Sequence, residues 1–251
     1  MPASLTFIPS PEPNVRLRIV VARPPTDDPV PTIIFNHGST GRGVNKAVFK
    51  RVWSPPFMQD YFTQRGWMVV FPQRRGRGGS EGIYGEGLAA DGSGYSCEPG
   101  IALAGFDRAV ADIDAVMAHL KTRKDVDVRR IAIGGVSRGG ILAIAYAGMR
   151  PESFVGAVNF NGGWLGRACP SHESVNPLIF KRGAATKAPT LWLHGSYDQY
   201  YRIAHCRRNF DGYVAAGGNG TFIAAPMGHG LLFKPLLWRK HLDAFMQRLE
   251  A

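Results

Sequence analysis

The chain has 251 residues, of which 45% are hydrophobic, and a formal net charge of +11 at pH 7. This length and apolar content are enough for a sizeable core, so we predict a single domain over residues 1–251. No apolar run is long enough for a transmembrane helix, and the first residues, MPASLTFIPSPEP, lack the basic and apolar regions of a secretory signal. We therefore expect a cytoplasmic protein, or a secreted one if a signal was removed before residue 1.

The positive charge raises the question of a nucleic-acid partner. The basic residues are scattered, however, and the short groups Arg74, Arg75 and Arg77, or Arg207 and Arg208, lack the interleaved aromatic residues of a single-strand binder. We expect no nucleic acid and a small-molecule ester as the partner, and the basic surface leaves an anionic ester open. The sequence does not decide between a monomer and a homodimer.

Cysteine and histidine usage argues against a metal or a cofactor, and we expect neither. Cys97, Cys169 and Cys206 are too few and too far apart for a zinc site, and no HExxH motif is present. We expect reduced, unreactive thiols, with one bridge plus a free thiol as the alternative. A bridge between Cys97 and Cys169 would join two loops near the predicted site.

Strand and helix patterns alternate along the chain. Strands are predicted at residues 15–22, 31–37, 66–72, 129–135, 154–160, 188–195 and 220–226, and helices at 55–64, 101–124, 138–149, 201–216 and 233–250. The first strand alternates apolar residues with arginine, as an antiparallel edge strand would, and the other six are predicted to be buried. This order predicts an α/β fold with a mostly parallel, doubly wound sheet and helices on both faces. Ligands bind such sheets beyond the carboxyl ends of the strands.

The pattern G-x-S-x-G occurs twice, around Ser80 and around Ser137. Ser137 follows a predicted strand and precedes a helix of small residues, the context of a nucleophile elbow, in which glycines relieve crowding at a tight turn. Ser80 is followed by a long glycine-rich and polar stretch and is predicted to order a loop. We therefore predict Ser137 as the nucleophile.

A serine nucleophile needs a base and an acid that orients the base. His229 and Asp198 each follow a late predicted strand, and the order Ser137, Asp198, His229 is the one that an α/β-hydrolase sheet produces. Asp211 is the rival acid but lies inside a predicted helix. The remaining histidines are interpreted as structural (His37, His194), helical (His119, His205, His241) or as a loop residue that at best touches substrate (His172).

The predicted oxyanion hole consists of two backbone N–H groups, those of Arg138 and of Ser39 in the loop HGSTGRG. The side chain of Arg138 is predicted to be structural. Thr40, Tyr84 and Trp164 are candidate substrate contacts, with plain packing as the alternative for Trp164. About thirty residues separate the strands on either side of Trp164, too few for a large cap, so a fairly open pocket is expected.

With these residues, the chain resembles the α/β-hydrolase superfamily, and within it the dienelactone hydrolase and prolyl-oligopeptidase-like branches. The motifs that carry the resemblance are, in order, FNHGSTG, FPQRRGRGGSEG, DVDVRRIAIGGVSRGG, LHGSYD and MGHG. They span Phe35 to Gly230. Dienelactone hydrolases have a cysteine nucleophile, and the serine at position 137 therefore argues for an esterase.

The sequence thus predicts a cofactor-independent serine hydrolase that cleaves carboxylic esters through a Ser-His-Asp acyl-enzyme mechanism. Two alternatives remain open. An aminopeptidase or other amidase of the same fold would use the same three residues. A non-catalytic binding protein on a hydrolase scaffold would use none of them, since fold alone does not establish activity.

Overall fold

The computed structural model describes residues 3–250 and confirms the α/β architecture. This part of the chain contains eight strands and seven α-helices, and the strands form a mostly parallel sheet. The chain divides into two compact units, Met1–Ala132 and Ile133–Ala251. The expectation of a single domain stays a prediction, because each unit is compact in itself.

The first unit has a four-stranded order of β1-β2-β4-β3. Its strands are β1 (Ser4–Pro9), β2 (Arg16–Ala22), β3 (Val30–Asn36) and β4 (Met68–Gln73), and its helices are α1 (Lys46–Lys50), α2 (Pro56–Thr63) and α3 (Pro99–Thr122). Strand β2 is antiparallel to β1 and β4, whereas β3 and β4 are parallel. A further strand, β5 (Val126–Val136), begins in this unit and ends in the second.

The antiparallel direction of β2 is confirmed, but its predicted place at the edge is wrong, because β1 pairs along its outer side. The sequence did not indicate β1, a short segment between prolines in which Leu5 and Phe7 are exposed and Ile8 is buried. Helix α3 confirms its predicted apolar stripe, which is buried along the helix at Phe106, Ile113, Val116 and Leu120, among others.

The second unit contains β6 (Gly156–Phe160), β7 (Thr190–Gly195) and β8 (Gly220–Ala225), with β7 parallel to both neighbours. Its helices are α4 (Arg138–Met149), α5 (His172–Arg182), α6 (Ile203–Ala215) and α7 (Pro235–Glu250). The prediction that β8 is buried is wrong: five of its six residues are at least partly exposed, because no further strand pairs beyond it in the described chain.

Helix α5 corrects the interpretation of His172 as a loop residue, since the helix starts at this residue. Its polar sequence, HESVNPLIFKR, with Pro177 inside, conceals the helical period. Between β6 and β7 this is the one α-helix of the described chain, and it packs against α4 and α6. The absence of a large cap was predicted from the length of this segment.

The expectation of three reduced thiols is wrong. Cys97 and Cys169 are disulfide-bonded, whereas Cys206 is a free cysteine. Cys206 is buried, and burial raises the pKa of its thiol far above the ordinary value. None of the helices between residues 3 and 250 is long and apolar enough to cross a membrane.

Candidate active site

Ser137 lies at the turn between β5 and α4, in a backbone conformation that side chains rarely adopt, with φ 56° and ψ −123°. Backbone hydrogen bonds hold this turn. The N–H of Ser137 donates to the carbonyl of Phe160 over 2.8 Å, and its own carbonyl accepts from Gly140 over 2.9 Å and from Gly163 over 3.3 Å. The end of β6 and the loop after it therefore fix the position of the serine.

Asp198 and His229 come together in the loops that follow β7 and β8. The imidazole Nδ1 of His229 lies 2.7 Å from Oδ2 of Asp198. An ionised carboxylate only accepts hydrogen bonds, so Nδ1 carries the proton and Nε2 keeps a free lone pair. A histidine in this tautomer can act as a general base.

Asp198 is held by four hydrogen bonds. Its Oδ1 accepts from the backbone N–H groups of Tyr200 (2.7 Å) and Tyr201 (3.1 Å), while Oδ2 accepts from His229 and from Nδ2 of Asn161 (2.8 Å). Burial alone would raise the pKa of Asp198, but the hydrogen bonds from His229 and the two backbone groups outweigh it. The pKa therefore lies below its ordinary value, and the carboxylate stays ionised.

Asn161 is a site residue that the sequence patterns did not single out. It is buried, and its amide also donates to the carbonyl of Gly228 (3.2 Å) and accepts from the N–H of Gly195 (3.2 Å). The amide thereby links the ends of β6 and β7 to the loop that carries His229. The end of β7 can lie close to this loop because Gly195 has no side chain. A Cβ there would lie 2.3 Å from the carbonyl oxygen of Met227.

Two tyrosines that follow Asp198 complete the surroundings of His229. The ring of Tyr200 lies 4.8 Å from the imidazole and that of Tyr201 lies 5.5 Å from it, as measured between centroids. The hydroxyl of Tyr201 donates to the carbonyl of Gly163 over 2.8 Å and lies within reach of the Ser137 side chain. Tyr201 is thus a common neighbour of Ser137 and His229.

In the first unit, the loop after β3 that contains Ser39 is held by buried groups. The guanidinium of Arg74 donates to the carbonyl of His37 (3.1 and 3.2 Å), and the backbone N–H of Arg74 donates to Nε2 of the same histidine (3.2 Å). Burial and the charges of Arg74 and Arg77 keep the pKa of His37 well below its ordinary value. These contacts agree with the structural role predicted for His37, and the N–H of Ser39 stays a prediction as an oxyanion donor.

Two of the predicted substrate contacts, Thr40 and Tyr84, are hydrogen-bonded to Tyr95 within the first unit. The backbone N–H and Oγ1 of Thr40 lie 3.0 and 2.9 Å from the Tyr95 hydroxyl, which lies 2.7 Å from that of Tyr84. Tyr84 is buried and also donates to Glu86 (2.9 Å). Their contact with substrate stays a prediction.

Trp164, the third predicted contact, is 1% exposed. The guanidinium carbon of Arg138 lies 4.5 Å from the centre of its ring, and Nε of Arg138 donates to its backbone carbonyl over 3.0 Å. The arginine side chain thus has the structural role that was predicted, and Trp164 packs beneath it. The segments that follow β7 and β8 contain large exposed aromatic residues, Tyr197, Tyr200 and Phe233.

Ser80, the serine of the second G-x-S-x-G pattern, orders its loop as predicted. Its hydroxyl accepts from the N–H of Arg18 (2.7 Å) and donates to the carbonyl of Gln73. The hydroxyl therefore hydrogen-bonds to backbone groups of β2 and β4, and Ser80 is 9% exposed. The same G-x-S-x-G pattern therefore occurs in two different local structures, around Ser80 and around Ser137.

Two family models each match more than half of the chain. The model of X-Pro dipeptidyl-peptidase (S15 family) matches residues 13–164, and that of Phospholipase/Carboxylesterase matches residues 97–234. Both ranges include Ser137, and the second also includes Asp198 and His229. Among curated proteins, the proline iminopeptidase aneH of Aspergillus aculeatus is 30% identical over 130 residues, which are 51% of this chain and 28% of that enzyme. The match covers less than a third of the relative.

Solved structures share the whole fold at low sequence identity. The acylaminoacyl peptidase of Pyrococcus horikoshii matches with a TM-score of 0.70 and 18% identity, over 99% of this chain and 41% of that chain. Est1E of Butyrivibrio proteoclasticus, solved with ferulic acid, matches with a TM-score of 0.71 and 14% identity, over 97% and 98% of the two chains. The predicted α/β-hydrolase fold is confirmed. Together with the family matches, this shows that the chain belongs to the serine hydrolases of the α/β-hydrolase superfamily, within the S15 and phospholipase/carboxylesterase families.

Proposed function

We propose that the protein hydrolyses carboxylic esters through an acyl-enzyme on Ser137. The observation that carries the proposal is the 2.7 Å hydrogen bond between Asp198 and His229. This bond holds the imidazole in the tautomer that accepts a proton at Nε2. Ser137 lies on a strained turn and shares the neighbour Tyr201 with His229. A serine hydroxyl is a weak nucleophile unless such a base removes its proton.

In the proposed reaction, Oγ of Ser137 attacks the ester carbonyl while its proton moves to Nε2 of His229. The N–H groups of Arg138 and Ser39 stabilise the resulting oxyanion. The carbon–oxygen bond to the alcohol breaks, and the alcohol leaves with the proton from His229. Water then attacks the acyl-enzyme with His229 again as base, which releases the carboxylic acid and restores the serine.

The extent of the family matches favours an ester over a peptide. The phospholipase/carboxylesterase match contains all three proposed catalytic residues, whereas the S15 match ends at residue 164, before Asp198 and His229. The segments that carry Asp198 and His229 also contain the exposed rings of Tyr197, Tyr200 and Phe233, which offer apolar surface to the acyl or alcohol group of an ester.

Replacement of the nucleophile tests the proposal. Ser137→Ala should lower kcat/KM for short p-nitrophenyl esters by about 10³-fold or more, since the remaining site lacks a nucleophile. Ser80→Ala is the matched control, with the same local sequence pattern, and should keep most of the activity despite some loss of stability. A fluorophosphonate probe should label the wild type and Ser80→Ala but not Ser137→Ala. Absence of labelling in the wild type would contradict the proposal and favour a binding protein.

The second candidate function is an aminopeptidase or amidase, favoured by the S15 match and by the relative that is a proline iminopeptidase. Paired substrates with one acyl group, an ester and an anilide, distinguish the two candidates. The ester proposal expects a kcat/KM at least about 100-fold higher for the ester than for aminoacyl or prolyl anilides. A higher value for an anilide would assign the site to peptide chemistry.

A further inference from the structure

A cavity of about 490 Å³ in the second unit has no role in the mechanism above. Its ionisable lining consists of three arginines, two histidines and one carboxylate: Arg167, Arg202, Arg208, His172, His205 and Glu173. The volume is within the usual range for small-molecule sites. The excess of arginine over carboxylate points to an anionic occupant.

A metal ion is the competing occupant, because ligand atoms of His172, Glu173 and His205 lie within 4.8 Å of one another. The fixed amide of Asn176 decides against it. Oδ1 of Asn176 accepts from the N–H groups of Trp164 and Leu165, both over 3.0 Å, and its Nδ2 donates to the carbonyl of Leu165 over 2.9 Å. The amide orientation is therefore set by three backbone groups.

With this orientation, Nδ2 of Asn176 also donates to Nε2 of His205 over 3.3 Å. A ring nitrogen that accepts a hydrogen bond carries no proton, so the proton of His205 is on Nδ1, which faces Oε2 of Glu173 at 3.2 Å. Coordination by Nδ1 would require the proton to move to Nε2, where it would point at the donor Nδ2. The cluster does not fit a metal ion.

The negative charge of Glu173 is already paired with the positive charge of Arg208. Both of its carboxylate oxygens accept from Nη2 of Arg208, over 3.1 and 2.9 Å, and Oε1 lies 3.3 Å from Nε2 of His172. Within residues 3–250, Arg167 and Arg202 have no carboxylate partner. Their two positive charges are therefore uncompensated at the cavity, and guanidinium groups bind carboxylate and phosphate through paired N–H donors.

Helix α6 adds to this positive character. Arg202 is its N-cap residue, no side chain caps the helix, and its first turn contains no acidic residue. Ala204 and His205 of this first turn line the cavity. The unpaired N–H groups and the dipole at a helix start favour an anion.

The cavity adjoins the residues that surround His229. The N–H of Arg167 donates to the carbonyl of Tyr200 over 2.9 Å, and Arg202 directly follows Tyr201 in the chain. Tyr200 packs against the imidazole of His229, and Tyr201 contacts both His229 and Ser137. One short segment thus joins the cavity to the catalytic residues.

We propose that this cavity binds a carboxylate or phosphate group, and that an anionic group on the substrate is its occupant. The first part stands on the cavity alone. The second part rests on the proposed hydrolase function, because it assigns the anion to the molecule that Ser137 attacks. A free carboxylate or phosphate ion has the same chemistry and is the alternative occupant. Ester hydrolysis kinetics distinguish it from an anionic group on the substrate.

Direct binding tests the first part without any need for catalysis. Isothermal titration of inorganic phosphate and of succinate compares the wild type with the double variant Arg167→Gln/Arg202→Gln. We expect at least tenfold weaker binding in this variant. The matched control is Arg129→Gln/Arg207→Gln, which removes the same charge outside the cavity and should bind as the wild type does. Equal binding by the two double variants would overturn the proposal.

Kinetics with two esters test the second part. The anionic p-nitrophenyl hemisuccinate should show about a tenfold higher KM in the cavity variant, with kcat nearly unchanged, while neutral p-nitrophenyl butyrate keeps its KM. A loss of phosphate binding with unchanged KM for both esters would overturn the substrate assignment in favour of a free ion. If neither ester is hydrolysed by the wild type, the proposed function fails while the titration still decides the cavity.

A zinc titration completes the test of the cavity. We expect no stoichiometric binding of Zn²⁺ by the wild type beyond that of His172→Ala. Stoichiometric binding that is lost in His172→Ala, combined with no binding of phosphate or succinate, would overturn the anion site in favour of a metal site.

Discussion

Asn161 orients Asp198, the proposed catalytic acid, at the cost of an unfavourable backbone conformation. Its φ is 47°, a value for which asparagine is better suited than most residues. The side-chain amide forms hydrogen bonds with Asp198, Gly195 and Gly228 at the same time. In the proposed mechanism Asn161 is a positioning residue, because it acts through the carboxylate of Asp198.

We expect Asn161→Gly to fold, since glycine accepts the positive φ, and to lower kcat by about tenfold with little change in KM. Asn161→Asp should lose more, because a second carboxylate beside Asp198 raises the pKa of that acid and shifts the acid limb of the pH–rate profile upwards. Steady-state kinetics over a pH series measures both effects. An unchanged acid limb in Asn161→Asp would show that the amide has only a structural role.

At the residue scale, one physical rule singled out Asp198 and His229 in the sequence as the predicted acid and base. Polar residues that directly follow a strand lie at the ligand-binding edge of a parallel sheet, and Asp198 and His229 satisfy this rule. Asn161 follows β6 and satisfies it too, so the rule could have found it. Tyr201 could not be found in this way, because its contact with Ser137 depends on how the loop after β7 folds.

Helix α4 packs so closely in the second unit that it has no room for a side chain at Gly140. A Cβ there would lie 2.3 Å from Oδ1 of the buried Asn159 and 3.2 Å from the carbonyl oxygen of Gly135. Gly212 in α6 is the opposite case, because a Cβ at that position would meet no atom within 4 Å. Alanine substitutions at these two helical glycines therefore distinguish the effect of helix propensity on stability from the effect of packing.

Gly140→Ala should destabilise the protein by about 1–3 kcal/mol, because the overpacking outweighs the better helix propensity of alanine. Gly212→Ala, the matched control, should stabilise it by up to about 1 kcal/mol. Urea unfolding at neutral pH measures both free energies. Stabilisation by both substitutions would contradict the close packing of α4.

At the element scale, the pattern predicted α4 with both ends correct, because its apolar and small residues begin directly after the elbow. The errors concern strands at the margins. β1 is half-exposed and too short for a clear period, and β8 has an apolar sequence but no outer neighbour in the described chain. Burial of a strand depends on which strand lies beside it, and composition does not contain that information.

Across the molecule, several ionisable groups are buried in one charge state. Burial lowers the pKa of His194 to about 3, from an ordinary value of 6.5. Between these two pH values, the unfolded chain binds a proton at this residue and the folded chain does not. The stability contributed by neutral His194 is therefore present above pH 6.5 and is lost as the pH falls towards 3.

The unfolding free energy of the wild type should decrease on acidification by about 1.4 kcal/mol per pH unit more than that of His194→Gln, over the range between about pH 6 and 4. Urea unfolding at a series of pH values measures the two slopes. His241→Gln, which removes a less buried imidazole, should keep a slope close to that of the wild type. Parallel slopes for His194→Gln and the wild type would refute a neutral, buried His194.

Part of the formal positive charge of the chain is buried and compensated by acidic residues. Arg74, Arg75 and Arg77, a basic group in the sequence, are between 0% and 6% exposed, and Arg74 and Arg75 pair with Glu86 and Asp112. Sequence reasoning predicted the scattered charge but not this internal compensation, because the partners are far away along the chain. The uncompensated arginines at the cavity of the second unit could not be predicted either, because the absence of a carboxylate neighbour depends on the folded arrangement.

The state of the three cysteines has a practical consequence for spectroscopy. Two of them are consumed in a disulfide, and Cys206 is buried with a thiol pKa too high for alkylation of the folded chain. A cysteine introduced at an exposed position such as Arg129 would then be the one thiol that a maleimide dye reaches under native conditions. If Ser137 is the nucleophile proposed above, a fluorescent phosphonate on it would complete a donor and acceptor pair for resonance energy transfer without prior removal of any natural cysteine.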